Sequence, residues 1–388
     1  MNTKYNYYLI LFVVSAIAVV SQLYLLLPVS QLLADVFHSR TESIVLLTSC
    51  FGFAYASGFL FWGPLSDRFG RKAVLVAGMA GLSVTTIIVA LSQQYEWVLT
   101  LRIIQGFMAA SFPPVALAFI GESFPEKMRM KGIAWLSSAF LLSALVGQTL
   151  GAAMIEDSLQ NVMLLLSSVY ILSLLACSRL PGSQSQNTPK VNAKGYFNIL
   201  FGTVTNLRLL RIYLVALVLL GSFVTLYATL TSQHAGGFIF ENLQVNDLRL
   251  YSIPCMFMPL LIGRFIVRLG ALTTVFISVI TASLTLFLQM QTSDSVVFII
   301  LHLIFVSSIA SAVPSVISLV SQTSDASNRG LAVSLYTFTL FIGASIGAVI
   351  PMHFGEKGVL YFSACLVLSA LLNVPLSIFR KEKSRYAS

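Results

Sequence analysis

Arg102 lies within an apolar run that starts near Trp97. A cation about five residues inside such a run costs a few kcal/mol in lipid on insertion scales, so it is expected to face a bundle interior or a wet cavity. The alternative is an arginine that snorkels to the outer interface. Exactly 200 residues later, His302 falls inside another apolar run. Its imidazole, with an ordinary pKa of about 6.5, suits proton carriage at physiological pH; the plainer alternative is a hydrogen-bonded packing histidine. Asp35, at the outer end of the first apolar run, is a second candidate proton carrier. Together these groups can hold an anion and move a proton. They do not make a set for bond chemistry: there is no His pair at metal spacing, no Ser/His/Asp set and no phosphate-binding glycine loop. Cys50, Cys177, Cys255 and Cys365 are scattered without disulfide or metal spacing. A membrane enzyme is therefore disfavoured, and no metal or cofactor is expected.

The carboxylates sharpen this reading. Asp67, Glu122, Glu126, Asp325 and Glu382 fall on one side of the apolar runs, and Asp35, Glu42, Glu96, Glu156, Asp157, Glu241, Asp247, Asp294 and Glu356 on the other. None lies mid-run. A lipophilic cation prefers a buried carboxylate, so neutral or anionic solutes are expected over cationic dyes. Repeat symmetry gives Arg102 and His302 similar depths. If they share a cavity, Arg102 is expected to anchor the substrate, with Gln105 beside it, and His302 to sense or carry the proton.

The elements that must position these groups are membrane helices. The chain is 57% hydrophobic and 10% charged, with mean hydropathy +0.88, which no soluble domain of this size shows. Runs of about 17–25 apolar residues, the length that crosses a bilayer, are Tyr7–Leu27, Ile44–Trp62, Ala73–Leu91, Trp97–Phe119, Ile133–Met154 and Val162–Cys177. A second six are Leu209–Leu230, Leu248–Val267, Thr273–Leu288, Val296–Leu319, Leu331–Ile350 and Leu360–Phe379. The first run is too long for a signal peptide and lacks a cleavage site, so it reads as a retained helix. Nineteen of the 23 Lys and Arg fall in the termini and in loops on one side. The positive-inside rule makes that side cytoplasmic, with both termini inside, in a multi-pass protein of the cytoplasmic membrane. The net charge of +9 then serves topology and anionic headgroups, and a nucleic-acid partner is unnecessary.

The second six repeat the first. Gly63, Arg68 and Gly70 recur 200 residues on as Gly263, Arg268 and Gly270, as do Pro114 in Pro314 and Arg129 in Arg329; after a slip, Gly147-x-x-x-Gly151 recurs as Gly343-x-x-x-Gly347. A duplicated membrane half is the sign of a secondary transporter, whose two bundles rock about a site between them. The expected divisions are a six-helix bundle over 1–177, a cytoplasmic linker over 178–208, a second bundle over 209–380 and a tail over 381–388. The linker's polar part is followed by Tyr196–Arg211, which suits either a helix on the inner membrane surface or an early start to the seventh span.

The run Gly63-Pro64-Leu65-Ser66-Asp67-Arg68-Phe69-Gly70-Arg71-Lys72 matches G-x-L-x-D-R-x-G-R-K, the loop signature of the major facilitator superfamily, at every fixed position. Arg102-Ile103-Ile104-Gln105-Gly106 resembles the R-x-x-Q-G motif of its 12-span drug:proton antiporter branch. Gly147-Gln148-Thr149-Leu150-Gly151-Ala152 resembles G-P-x-x-G-G, with Gln148 for Pro and Ala152 for the last Gly, which weakens the case for drug antiport specifically; for Gly147, Gly151, Gly343 and Gly347 close helix packing is the favoured role. The resemblance spans essentially the whole chain. It implies an all-α membrane fold of twelve helices in two pseudo-twofold halves, working as a monomer on a small-molecule substrate and protons.

It also implies a latch in which Asp67 engages cations and a helix start in the other half; the partners expected here are Arg129 and the eleventh span near Gly330. Val267 replaces Asp67 in the second copy, so the latch is one-sided. Tyr24, Tyr55, Phe112, Trp135, Tyr227, Met256, Met258, Phe305 and Tyr336 fall on spans that line the cavity in this superfamily, though most read as ordinary packing residues. The nearest likeness is to efflux permeases for drugs and sugars, and proton-driven export is what it implies. Uptake by the same fold, or a transport-dead sensor, is the alternative.

Overall fold

The computed structural model describes residues 2–155, 158–182, 200–233, 238–324 and 329–373. Among them, ten helices are long and apolar enough to cross a membrane. The first five of the amino-terminal half are Asn2–Ser21, Thr41–Phe69, Arg71–Leu91, Tyr95–Ala109 continued by Phe112–Ser123, and Glu126–Met154; Leu159–Ser178 is the sixth. In the other half the seventh is Leu207–Gln233, the ninth Ala271–Gln289, the tenth Ser295–Thr323 and the eleventh Arg329–Phe354. The twelfth, Glu356–Leu372, reaches the end of the described residues. The eighth is broken into Val245–Tyr251, the 3-10 turn Pro254–Phe257 and Pro259–Leu269. The polar part of the expected linker and the tail fall largely on residues 183–199 and 374–388, outside the described residues. Of the expected interfacial stretch, residues 200–204 are helical with Phe201 and Val204 exposed, and the helix breaks at Thr205-Asn206 before the seventh starts at Leu207.

Proline explains where spans break. The first helix stops at Ser21, tightens through i→i+3 bonds from Leu23 N–H to Val20 O and Tyr24 N–H to Ser21 O, and resumes after Pro28 as Ser30–Val36. Pro28 has no N–H to give, and its ring would crowd the carbonyl of residue 24. Pro254 and Pro259 act likewise in the eighth span. Between the seventh and eighth spans, Phe238–Phe240 pairs antiparallel with Leu243–Gln244, a short hairpin absent from the sequence reading.

The signature run is mostly helix rather than loop. The second helix continues through Gly63 to Phe69, and only Gly70, at φ 90°, makes the turn into Arg71. Gly270, at φ 84°, turns the eighth span into the ninth in the same way. Both φ values lie where a side chain is disfavoured. Gly63, although the run matches a loop signature, lies inside the second helix and is not a turn residue.

The halves share one packing device. Gly147 and Gly151 on the fifth helix lie against the carbonyl oxygens of Ser21 and Leu25 in the first, and Gly343 and Gly347 on the eleventh lie against those of Leu217 and Gly221 in the seventh. Each member is related to its mate by 196 positions. A Cβ at any of the four would come within 3.0 Å of a backbone oxygen, so the backbones meet only because no side chain intervenes.

Candidate functional site

Among the described residues the halves meet chiefly along two helix pairs. In the first, Ser49 Oγ on the second span donates to Ser345 O on the eleventh (3.3 Å). Gly52 faces Ser345 Oγ, and Phe341 packs edge-on against Tyr55 (4.7 Å between ring centres) and stacks with Phe59 (5.4 Å). The second pair joins the fifth and eighth spans, where Trp135 meets Phe257 edge-on (6.0 Å). With the orientation expected from the basic loops, Glu42 and Lys357 lie at the outer end and Gly70 and Gly270 at the inner end.

Arg102 is fully buried, inside the amino-terminal half alone. Its Nη1 donates to Gln22 Oε1 (3.0 Å) and Gln105 Oε1 (2.7 Å), its Nη2 donates to Gln22 O (2.9 Å), and its guanidinium lies over the Phe51 ring (4.2 Å). The backbone oxygen at Gln22 is open to a side-chain donor because the first helix unwinds there. Gln105 in turn donates to Thr86 Oγ1 (2.7 Å), and Gln22 Nε2 points at Met163 Sδ (3.7 Å). Uncharged oxygens and an aromatic face hold the charge. Snorkelling is excluded by this burial, and the shared cavity with His302 is not present.

His302 is sealed in the other half. Its Nε2 lies 2.8 Å from Tyr227 Oη and its Nδ1 lies 3.3 Å from Gln289 Oε1, with the Phe298 ring stacked alongside at 6.5 Å. The ring thus lies between a phenol and an amide, each within hydrogen-bond reach of one of its nitrogens, and the tautomer sets which nitrogen donates. Asp35, by contrast, is exposed at the outer end of Ser30–Val36.

A second buried cation escaped the sequence reading. Arg249, at the outer start of the run Leu248–Val267, is only 3% exposed. The hairpin and the short helix Val245–Tyr251 fold it inward, with Gln244 N–H donating to Asp247 Oδ2 (2.9 Å) at the helix start. Arg249 Nε donates across the interface to Gln148 Oε1 (3.3 Å), its Nη2 donates to Thr231 Oγ1 (3.1 Å), and its guanidinium lies 6.0 Å from the centre of the Tyr227 ring. Gln148 is one of the two residues that depart from the glycine motif. Through Tyr227, the contact between halves continues to His302.

The aromatic candidates divide. Tyr55 is at the interface, its hydroxyl buried without a partner among the described residues. Tyr336 donates to Val313 O (3.2 Å) within its own half, Phe112 packs on Phe12, and Tyr24, Met256 and Phe305 are buried. A groove of about 400 Å³ lies within the second half, among Met258, Phe265, Ile277, Ile304 and Ser307, rather than between the halves.

At the inner end, Asp67 pairs with Arg71, which also reaches Glu122 on the fourth span (2.6 Å) and donates to Ser66 Oγ. Arg71 is 14% exposed and Asp67 48%. Glu122 was not foreseen as a member of this cluster. Arg68 lies over its neighbour Phe69 (5.3 Å), Lys72 is half-buried, and Arg129 is exposed. In the second half Ala271 and Gln322 stand 200 residues after Arg71 and Glu122, so the cluster exists once. Gly330, near which the latch is expected to end, is exposed in the first turn of Arg329–Phe354; residues 325–328 just before that helix lie outside the described residues.

The family model described as Major Facilitator Superfamily matches residues 10–348 and 248–387. Local stretches resemble the multidrug transporter MdfA of Escherichia coli O157:H7, 39% identical over 107 residues, 26% of each chain. The chloramphenicol resistance protein CraA of Acinetobacter baumannii is 39% identical over 94 residues, 24% of this chain and 23% of that protein. The matched stretches thus span about a quarter of these relatives. The crystal structure of the human organic anion transporter MFSD10 (TETRAN) superposes with TM-score 0.74 at 17% identity, covering 94% of this chain and 98% of that one; at this identity the likeness speaks for the fold alone.

Proposed function

The chain belongs to the Major Facilitator Superfamily, and from that premise we propose that it exports a small organic solute, drug-like or metabolic, across the cytoplasmic membrane by proton-coupled alternating access. It works as a monomer with both termini in the cytoplasm. The observation that carries this reading is the interface itself: two halves of like build, joined chiefly by side chains along the second and eleventh spans and the fifth and eighth. Such contacts can part at one end while the glycine-packed helix pairs within each half stay intact. The local likeness to a multidrug transporter and to a chloramphenicol resistance protein supports outward movement of drug-like cargo.

Within this reading, His302 is the candidate proton carrier because it is a buried imidazole one hydrogen bond from Tyr227, which lies under the cross-interface Arg249. Arg102, directly and through Gln22 and Gln105, holds the first, second, third, fourth and sixth spans of its half together and does not itself meet cargo in this closed arrangement. The Asp67–Arg71–Glu122 cluster ties the second-to-third turn to the fourth span, giving the inner latch a rigid base. Vesicles loaded with chloramphenicol, with and without an imposed pH gradient, test the proposal: gradient-dependent movement supports it, and its absence across a broad panel of toxic compounds and metabolites argues for the transport-dead alternative.

A further inference from the structure

Arg249 is the one buried cation, among the described residues, with a hydrogen bond from one half to the other. Both of its hydrogen-bond partners, Gln148 Oε1 and Thr231 Oγ1, are uncharged. The ion pairs among the described residues are both at Arg71, at the opposite end of the bundle. Asp247, two residues before Arg249, is committed to capping its own helix. An intramembrane charge left without a counter-charge is a functional group by default.

We propose that Arg249 selects cargo by charge, admitting neutral and anionic solutes and rejecting cations; this deepens the transport reading above and rests on it. Solute leaving the site between the halves has to pass where the outer ends of the fifth and eighth spans part. That parting withdraws Gln148, because Gln148 belongs to the other half, and leaves the guanidinium needing an acceptor. A carboxylate, sulfonate or phosphonate oxygen on the cargo supplies one, in the paired geometry that arginine favours. A cation meets instead a fixed like charge in poorly screening surroundings, the same device by which an arginine excludes cations from a pore. Arg102 cannot serve this role, since its guanidinium is enclosed by its own half. Gln148 is then the stand-in acceptor that satisfies Arg249 while the outer face is closed, which gives its departure from the glycine motif a physical purpose.

The test compares wild type with Arg249→Lys, Arg249→Gln and Arg249→Glu, each checked for a monodisperse size-exclusion profile. Ethidium and chloramphenicol efflux are measured in proteoliposomes, and tetraphenylphosphonium binding to purified protein by calorimetry. The ratio of ethidium to chloramphenicol transport is expected to rise about tenfold or more in Arg249→Glu, to a lesser degree in Arg249→Gln, and to stay low in Arg249→Lys, as expected for like-charge exclusion. Tetraphenylphosphonium affinity should follow the same order. If Arg249→Glu does not fold, Arg249→Gln carries the comparison. Equal ratios and equal affinities in all four proteins, or ready ethidium transport by wild type, overturn the proposal. Charge-ordered binding with no transport of either probe would support charge selection while counting against export.

Discussion

Arg102 and His302 stand 200 residues apart at matching places in the duplicated sequence, yet each is enclosed by its own half: Arg102 by Gln22, Gln105 and Phe51, His302 by Tyr227, Gln289 and Phe298. The repeat has kept the position and changed the chemistry. One half uses its place for a permanent charge that organises five spans; the other uses it for a titratable ring connected to the interface.

The first prediction concerns that permanent charge. Arg102→Lys replaces a planar fork serving three oxygens with a compact point charge, and should lower the thermal unfolding midpoint in detergent. Arg102→Ala should cost about 3 kcal/mol or more, because the Gln22 and Gln105 oxygens lose their donors while buried. Unchanged unfolding midpoints for both variants would show that the niche is not structural.

The glycine pairs give a second, graded prediction. Gly147→Ala and Gly343→Ala force a methyl against the carbonyls of Ser21 and Leu217, and each should destabilise by about 1–3 kcal/mol, as overpacking does. Gly263→Ala has open space and a helical backbone, so it should be nearly neutral. Gly270→Ala also has space but keeps φ 84°, and should cost about 1 kcal/mol through backbone preference alone. Thermal unfolding of the four variants reads out the order; equal effects at Gly263 and Gly343 would refute the close-packing account.

At the inner surface, Asp67→Asn and Glu122→Gln should each alter transport or the inward/outward balance while changing stability by under about 1 kcal/mol, since half-exposed ion pairs contribute little to folding. Cysteine accessibility on both faces is the measurement. Normal transport kinetics together with unchanged accessibility in Asp67→Asn would contradict a gating role.

Much of this architecture was legible in the sequence because duplication preserves punctuation: Gly70 and Gly270 remain turns, and the two Gly-x-x-x-Gly pairs remain helix contacts. What could not be read depends on where backbone goes after a break. Gln22 O reaches Arg102 because the first span unwinds ahead of Pro28. Arg249 resembles a loop cation by position, and only the hairpin at Phe238–Gln244 with the following short helix turns it inward. The Arg71–Glu122 bond joins residues 51 positions apart, which no local spacing reveals. Gln148 was visible as a departure from a motif, but its meaning required its partner from the other half.

Coupling yields a further prediction. His302→Gln keeps a polar side chain near Tyr227 and Gln289 but removes the titratable ring, so an imposed pH gradient should drive its transport far less than wild type, while downhill movement without a gradient continues. Tyr227→Phe should weaken coupling in the same direction by removing the hydroxyl at 2.8 Å from the ring. If the gradient drives His302→Gln as well as wild type, His302 is not the coupling residue and Asp35 becomes the next to test.

The most direct measurement is chloramphenicol uptake into everted membrane vesicles with the lumen made acid relative to the medium. Proton-coupled export predicts accumulation in the lumen as protons leave it, abolished by a protonophore and reduced when the pH is equal on both sides. Equal chloramphenicol levels in vesicles with and without the protein, whatever the gradient and across the wider solute panel, would contradict the account.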